Sequence, residues 1–316
     1  MTMVVDLPRI EEALKGLDPV AAIADGFVAY SRGRVVVPPP GELIFRDPPG
    51  DAHIKYGFIE GDDVYVVKIA SGFYRNAALG LPANSGLMLM FSQKTGALDC
   101  ILLDEGHLTN VRTAAAGAVA AKALAPSRVE RIGVFGTGVQ GRMQLEYTAP
   151  LVDCRKVMVW GRRDDALAAY KDHMGALGFD VETTHDAGAV AAACNLIITA
   201  TPATSPLLRH GEVRPGTHIT AMGSDTPDKN EIDPAILGRA DVVVADSISQ
   251  CLERGEIFHA IEAGTLARDR LVELGNVIAD PSLGRISDSQ ITVADLTGVA
   301  IQDIQISKAV YRALVT

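Results

Sequence analysis

The stretch Arg131-Ile-Gly-Val-Phe-Gly-Thr-Gly-Val-Gln-Gly141 decides how the rest of the chain is read. A short apolar run, RIGVF, leads straight into three glycines spaced Gly136-x-Gly138-x-x-Gly141, and a helix-like segment, RMQLEYTAPLV, follows. Each glycine has its own physical task. Gly136 permits a tight turn, Gly138 lets the backbone approach a diphosphate, and Gly141 lets the following helix pack against the strand. The helix would then aim its unpaired N–H groups at the phosphates, with Val139 and Gln140 on the same loop. A glycine pattern of this kind is often just a loop, so its weight comes from its surroundings.

Those surroundings favour a nucleotide site. Downstream, short β-rich apolar runs alternate with helical stretches: KVMVWG (156–161), FDVETT (179–184), NLIITA (195–200), THITAMG (217–223) and DVVVADS (241–247). This alternation predicts βαβ units and a parallel sheet covered on both faces. Upstream, TAAAGAVAAKALA (113–125) reads as a small-residue helix stopped by Pro126, and Asp18-Pro19 reads as a cap and first residue of an amphipathic helix. Val35 to Pro40 ends in three prolines and fits neither sheet nor helix. Between Ala52 and Leu103 lie HIKYGFI, DVYVVKIA, GLMLMFSQ and KTGALDCILLD, with turns at Glu60-Gly61-Asp62 and Lys94-Thr95-Gly96. That region predicts an antiparallel or mixed sheet. The tail from Val293 reads as helical throughout.

The expected fold class is therefore α/β: a Rossmann-type doubly wound parallel sheet domain from residue 113 on, after an α+β first third. A chain of 316 residues suits two domains, and 48% apolar with 22% charged residues suits a globular fold. The formal net charge of −10 and the lack of any basic run argue against a nucleic-acid partner. Four scattered cysteines, with no C-x-x-C spacing, fit neither a zinc site nor a disulfide framework. The start shows no secretion pattern, and the uncharged stretch 187–208 carries Asn195, Pro202 and Pro206, a poor membrane span. A soluble cytoplasmic protein is the expectation.

Several residues are candidates for chemistry. Gly161-Arg162-Arg163 ends the second strand of the nucleotide unit, and an arginine there accommodates the 2′-phosphate of NADP. Both arginines are equally well read as solvated helix-start residues, with Asp164 and Asp165 close behind. Lys68 lies inside an apolar strand, where an inward amine needs a carboxylate or an anionic ligand, unless it is a solvated edge lysine. Lys55 follows the same logic. Arg112 offers a planar fork for a substrate carboxylate or a cofactor phosphate, or else an interdomain salt bridge, and His107 nearby is more readily structural. Gly223-Ser224-Asp225-Thr226-Pro227-Asp228-Lys229 follows a strand, at the edge where open α/β sheets bind ligands. Asp225 is thus a candidate general acid or base.

Taken together, VVKIASGFYRN (66–76), residues 86–125 with their RTAAAGAVAAK string, GVFGTGVQG (133–141), GSDTPDKNEID (223–233) and DLTGVAIQD (295–303) resemble the ornithine cyclodeaminase and mu-crystallin family. The resemblance runs over nearly the whole chain. It implies a homodimer, a small imino or amino acid substrate, a nicotinamide cofactor, and a substrate-binding and dimerisation domain over 1–112 plus 295–316 around a Rossmann dinucleotide-binding domain over 113–294. It makes Lys68 the substrate-carboxylate lysine, Arg112 a contact to cofactor or substrate, Asp225 the catalytic acid with Lys229 beside it, and Thr297 and Gly298 substrate neighbours. The cofactor set it implies is Arg112, Gly136, Gly138, Val139, Gln140, Gly141, Gly161, Arg162, Gly223, Asp225 and Lys229. Two departures count against ornithine: Gly41-Glu42 stands where the family has an arginine after the prolines, and Gly161 where the cyclodeaminases have an acid. Lys55 or Arg75 is the expected replacement for the arginine. The resemblance points to reduction of iminosuccinate to L-aspartate with NAD, against the NADP lean of Gly161-Arg162-Arg163. Its alternatives are a cyclodeaminase-type lyase and a binding protein holding NADP and a carboxylate without turnover.

Overall fold

The structure, a computed structural model, describes residues 2–73 and 75–315. The chain folds into two compact units, one running to Arg112 and taking up the chain again from Ala300, the other spanning Thr113–Val299. Residues 295–299 group with the second unit because the strand ending at Asp295 lies inside its sheet.

The first unit is built on strands β1 (Met3–Asp6), β2 (Val35–Val36), β3 (Gly41–Arg46), β4 (Pro49–Ile59), β5 (Val64–Phe73), β6 (Asn84–Ser92) and β7 (Leu98–Leu103). Their order is β1-β7-β6-β5-β4-β2, with β3 on β4; only the β1–β7 pairing is parallel, so the sheet is mixed. Gly61 and Gly96, at φ +79° and +70°, make the two hairpin turns read from the sequence. Along β5 the residues alternate: Val64, Val66 and Lys68 are buried, while Ile69 is exposed. The helices Leu7–Leu14 and Ile301–Val315 pack on the sheet, and Pro19–Ser31 packs on the last of them. Asp18 caps the helix Pro19–Ser31 by accepting from the Ala21 N–H at 3.0 Å, with Pro19 in the first turn. An ion pair between Lys308 and Asp62 ties the last helix to the turn after β4.

The second unit carries β8 (Ile132–Phe135), β9 (Lys156–Trp160), β10 (Asp180–Thr184), β11 (Leu196–Thr199), β12 (Thr204–Leu208), β13 (His218–Ala221), β14 (Asn230–Ile232), β15 (Val242–Ala245), β16 (Leu271–Glu273) and β17 (Thr292–Asp295). Eight of them form a parallel sheet in the order β10-β9-β8-β11-β13-β17-β15-β16, while β12 and β14 pair apart. Both faces are apolar. Ile132, Val134, Val157, Val159, Leu196 and Ile198 pack on one side, and Phe135, Met158, Ile197, Ile219, Val243 and Val293 on the other. Each such side chain contributes ~1.5–3 kcal/mol on burial, which makes the strand interior insensitive to any single polar loop. The strand order reverses direction at β8/β11, the point where doubly wound sheets open a crevice for ligands.

Some expectations need correcting. The tail is not helical from Val293: residues 292–295 form β17 between β13 and β15, and the helix begins at Ile301. A four-residue strand flanked by Thr292 and Asp295 leaves too short an apolar run to be told from a helix by periodicity. Val35–Val36 pairs with β4 before the prolines end it. The helix expected from residue 113 starts at His107, capped by Asp104, whose Oδ2 accepts from the Leu108 N–H at 2.8 Å. The stretch 187–208 is a helix (Ala187–Ala193) followed by β11 and β12. Among the described residues no helix is long and apolar enough to cross a membrane.

Candidate functional site

The glycine turn behaves as its spacing demands. Gly136 sits at φ +112°, and a Cβ there would come within 2.7 Å of the Ala200 carbonyl oxygen. A Cβ on Gly141 would run into the carbonyl oxygen of Gly136, so the helix Val139–Thr148 can cross β8 only with glycine at that position. Gly138 is different: a Cβ there meets nothing within 4 Å. Its glycine is needed neither by its φ of −75° nor by packing, and an approaching ligand is the remaining reason. Gly138 is the cap residue of the helix, with no side chain satisfying the first N–H groups and no acid in the first turn. Such an end favours an anion. A cleft of about 530 Å³ opens over it, lined by Gly136, Thr137, Gly138, Trp160, Gly161, Arg162, Ala200 and Thr201 among others. That volume lies in the range of small-molecule sites.

At the far end of the second strand the two arginines separate. Arg162 lines the cleft. Arg163 is exposed and forms a local ion pair with Asp165, its Nε donating to Oδ1 at 2.9 Å, which is the bland reading of that residue. Asp164 is engaged by the His185 ring at 2.7 Å, and the other ring nitrogen lies 2.8 Å from the Gly161 carbonyl. Gly161 is fixed by packing, since a Cβ would press on Thr137 and Leu167. Val139 is exposed and Gln140 half-buried on the first turn of the helix.

The loop after β13 holds Gly223, Asp225 and Lys229 at the carboxyl edge of the sheet, as its sequence position predicts. Asp225 is exposed and is paired with the Lys229 amine at 2.6 Å. The Gly223 N–H donates to Glu231 at 3.0 Å. Thr297 and Gly298 follow β17 in the same unit. The Thr297 hydroxyl donates to Asp246 at 3.1 Å and accepts from Gln250 at 2.9 Å, and the Gly298 N–H donates to Asp246 at 2.8 Å. Both are therefore engaged in holding their own loop; Gly298, at φ +84°, supplies its turn.

In the first unit, Lys68 faces inward and is 3% exposed. Its Nζ lies 3.3 Å from Oδ1 of Asp303, and the same oxygen accepts from Arg112 Nε at 3.0 Å. Arg112 Nη1 donates to Gln302 at 2.8 Å. Arg112 thus finds its ion pair inside its own unit, not across a domain boundary. Lys55 stands directly opposite Lys68 on β4, so three cationic residues share one face of the sheet and the helix beside it. Burial lowers the Lys68 amine to about 7; Asp303 opposes that fall, and Arg112 and Lys55 add to it. Burial alone would raise Asp303, but Arg112, Lys68 and Lys55 hold its carboxyl below the ordinary carboxylate range. Arg75, the other expected replacement for the missing arginine, does not join this group: it is exposed and 3.6 Å from Asp47. His107 is half-buried at the start of its helix, where its backbone N–H donates to the Asp104 carbonyl at 2.8 Å.

Asp303 and Gln302 were not legible beforehand. They close the quoted string DLTGVAIQD on a helix that also carries Gln305, Ser307, Lys308 and Arg312, and nothing in their spacing ties them to residues 190 or more positions earlier. Glu231, inside the quoted string GSDTPDKNEID, and Glu256 were given no role because the string reads as a solvated loop, whereas both are buried and accept from backbone N–H groups.

The sequence model of the ornithine cyclodeaminase/mu-crystallin family matches residues 1–316. An uncharacterized cyclodeaminase of Sinorhizobium fredii is 40% identical over 94% of this chain and 90% of its own. The iminosuccinate reductase of Paracoccus denitrificans is 34% identical over 84% of this chain and 83% of its own. Its crystal structure in complex with NAD⁺ superposes with a TM-score of 0.87 at 30% identity, covering 99% of this chain and 96% of that one. An archaeal alanine dehydrogenase dimer with bound NAD gives 0.90 at 29% identity, covering 99% and 96%.

Proposed function

From the premise that this chain belongs to the ornithine cyclodeaminase/mu-crystallin family, we propose that it is a nicotinamide-dependent reductase of a small imino acid, with iminosuccinate as substrate, L-aspartate as product and NAD as cofactor. The observation that carries this reading is the buried pair Lys68 and Arg112, gathered on one oxygen of Asp303, with half-buried Lys55 opposite Lys68 on β4. A buried amine lowered to about 7 regains its proton most readily when an anion arrives beside it. A substrate with two carboxylates matches three cations better than a substrate with one. The cradle at Gly138 fits the diphosphate of a dinucleotide, with Gly136, Gly141 and the first N–H groups of the helix as its support.

In this reading Lys68 and Arg112 hold one carboxylate and Lys55 the other, which fixes the face that the imine carbon presents. When bound, the reduced cofactor supplies the hydride that adds to that carbon. The C=N π pair moves to nitrogen, which takes up a proton and becomes the amine. Asp225, held by Lys229, orients that nitrogen and relays the proton.

The test is oxidation of NADH and of NADPH against a panel of 2-oxo acids with ammonia, oxaloacetate included. NADH should be consumed in proportion to amino acid formed, fastest with oxaloacetate. Turnover of an amino acid with no net use of cofactor would make the chain a lyase, and binding of NADPH with no turnover would make it a binding protein. Arg162 on the cleft wall is the residue through which NADPH would be preferred if the NAD assignment fails.

We also assign a second copy of the chain to the open face of the first unit's sheet. The register aligns Val4, Ile101, Leu89, Val67 and Tyr56 in one row and Leu87, Ile69 and Ile54 in the next, all half-buried or exposed. Contiguous apolar rows of this size call for a partner. Sedimentation should give twice the 33.4 kDa chain mass, and Leu89→Lys should return it to one.

A further inference from the structure

We infer that Glu231 is a positioning residue for the nucleotide cleft, a buried carboxylate whose two oxygens lock the wall of the cleft to the loop that carries Asp225. The inference rests on the nucleotide assignment above but uses a residue outside the glycine turn. Glu231 lies on β14, fully buried. Its Oε1 accepts from both the backbone N–H and the hydroxyl of Thr201, each at 2.7 Å, and Thr201 lines the cleft against Gly136. Its Oε2 accepts from the Gly223 N–H at 3.0 Å. One side chain therefore joins the segments that leave β11 and β13, neighbours in the sheet. The two backbone N–H partners can only donate, so the ionised form satisfies every contact as it stands; a proton on Oε2 sets two donors, its own and the Gly223 N–H, face to face.

The surroundings make that proton available near neutrality. Burial pushes Glu231 up to about 7, against hydrogen bonds from the Thr201 hydroxyl and the backbone N–H groups of Thr201 and Gly223. Glu256, on the helix Gly255–Glu262, accepts from the Glu231 and Ile232 N–H groups and from the Ser224 hydroxyl, and burial pushes it to about 7 as well, with Glu231 adding to the rise. Asp295 on β17 lies beyond Glu256 and is raised well above its ordinary value, by burial and then by Glu256. On the loop itself Asp225 and Lys229 pair with each other, Asp228 accepts from Thr226, and the His259 ring contacts the Lys229 carbonyl at 2.8 Å. The sign follows. With a folded value above the unfolded one of 4.5, Glu231 takes stability away as pH rises from about 4.5 to 7, and it ionises within the fold, completing its set of acceptors, as pH passes through about 7. Stability is thus lost before the cleft tightens, and the gain in binding is centred near pH 7.

The experiment is NADH titration by fluorescence on the purified chain from pH 5.5 to 8.5, with melting temperature followed in parallel. Wild type should bind NADH more tightly as pH rises through about 7. Glu231→Gln, which mimics the protonated acid, should bind roughly tenfold more weakly at pH 8, the scale of one hydrogen bond to a charged acceptor, with a flat pH profile and an unchanged or higher melting temperature. Thr201→Ser should retain wild-type affinity and Thr201→Val should not. Wild-type affinity and pH slope in Glu231→Gln would overturn the inference; should that variant fail to fold, equal binding by Thr201→Ser and Thr201→Val would do so. If the wild-type chain binds no NADH at any pH, the nucleotide assignment itself is wrong.

Discussion

Lys68→Ala is expected to raise the KM for the imino acid by roughly two orders of magnitude while leaving NADH affinity near that of the wild type. Truncating one member of a buried, hydrogen-bonded charge pair typically costs ~2–5 kcal/mol, and roughly 1.4 kcal/mol is a tenfold change. The fold should survive, because Arg112 continues to neutralise Asp303 from 3.0 Å. The pH dependence has a definite sign. The Lys68 amine is charged below about 7 and neutral above it, so wild-type KM should climb as pH passes upward through that value, and the alanine variant should lose the climb. Asp225→Asn provides the contrast: kcat should fall by about 10²-fold with KM nearly unchanged, as for removal of a group that moves a proton. Steady-state kinetics on both variants, with NADH titration as control, separate the two roles. Unchanged substrate kinetics in Lys68→Ala would take Lys68 out of the site, and a wild-type rate in Asp225→Asn would make that residue a bystander.

Gly138→Val should abolish nucleotide binding without harming the fold. The position has an extended backbone at φ −75°, ψ −172°, which any residue adopts, and open space where the side chain would go. A melting temperature within a few degrees of wild type is therefore expected. The valine methyl groups would occupy the approach to the helix's free N–H groups, and losing two charge-assisted hydrogen bonds at ~1.5–3 kcal/mol each weakens NADH by roughly 100-fold or more. Gly141→Ala should do the reverse, lowering stability first, since its Cβ meets the Gly136 carbonyl oxygen. Calorimetric melting and NADH titration distinguish the two. A Gly138→Val protein that binds NADH normally would show that the cradle serves something else.

The parallel sheet was legible because β8, β9, β11, β13 and β15 are short runs rich in apolar and β-branched residues between helical segments, as burial on both faces requires, whereas β10, DVETT at the sheet edge, puts only Val181 into the core. The glycine turn was legible because each of its three positions is set by local backbone geometry or local approach. Strand β17 was not, since its place between β13 and β15 depends on register partners 74 and 50 residues earlier in the chain, Thr220 for Ala294 and Val243 for Val293 among them. The two arginines after β9 looked alike in sequence; Asp165 draws one into a local pair and leaves the other on the cleft wall.

By itself, then, the sequence determined what depends on neighbours along the chain: the alternation of strand and helix, the hairpin glycines at 61 and 96, the helix cap at Asp18, and the turn at Gly136 to Gly141. Tertiary structure alone decided which way Lys68 faces, that Lys55 lies opposite it, that Asp303 serves both Lys68 and Arg112, and that Glu231 binds two strand ends together. The reason is physical. A backbone turn is fixed by the sterics of a few consecutive residues, whereas the charge state and partner of a buried side chain depend on groups brought beside it by folding from far along the chain.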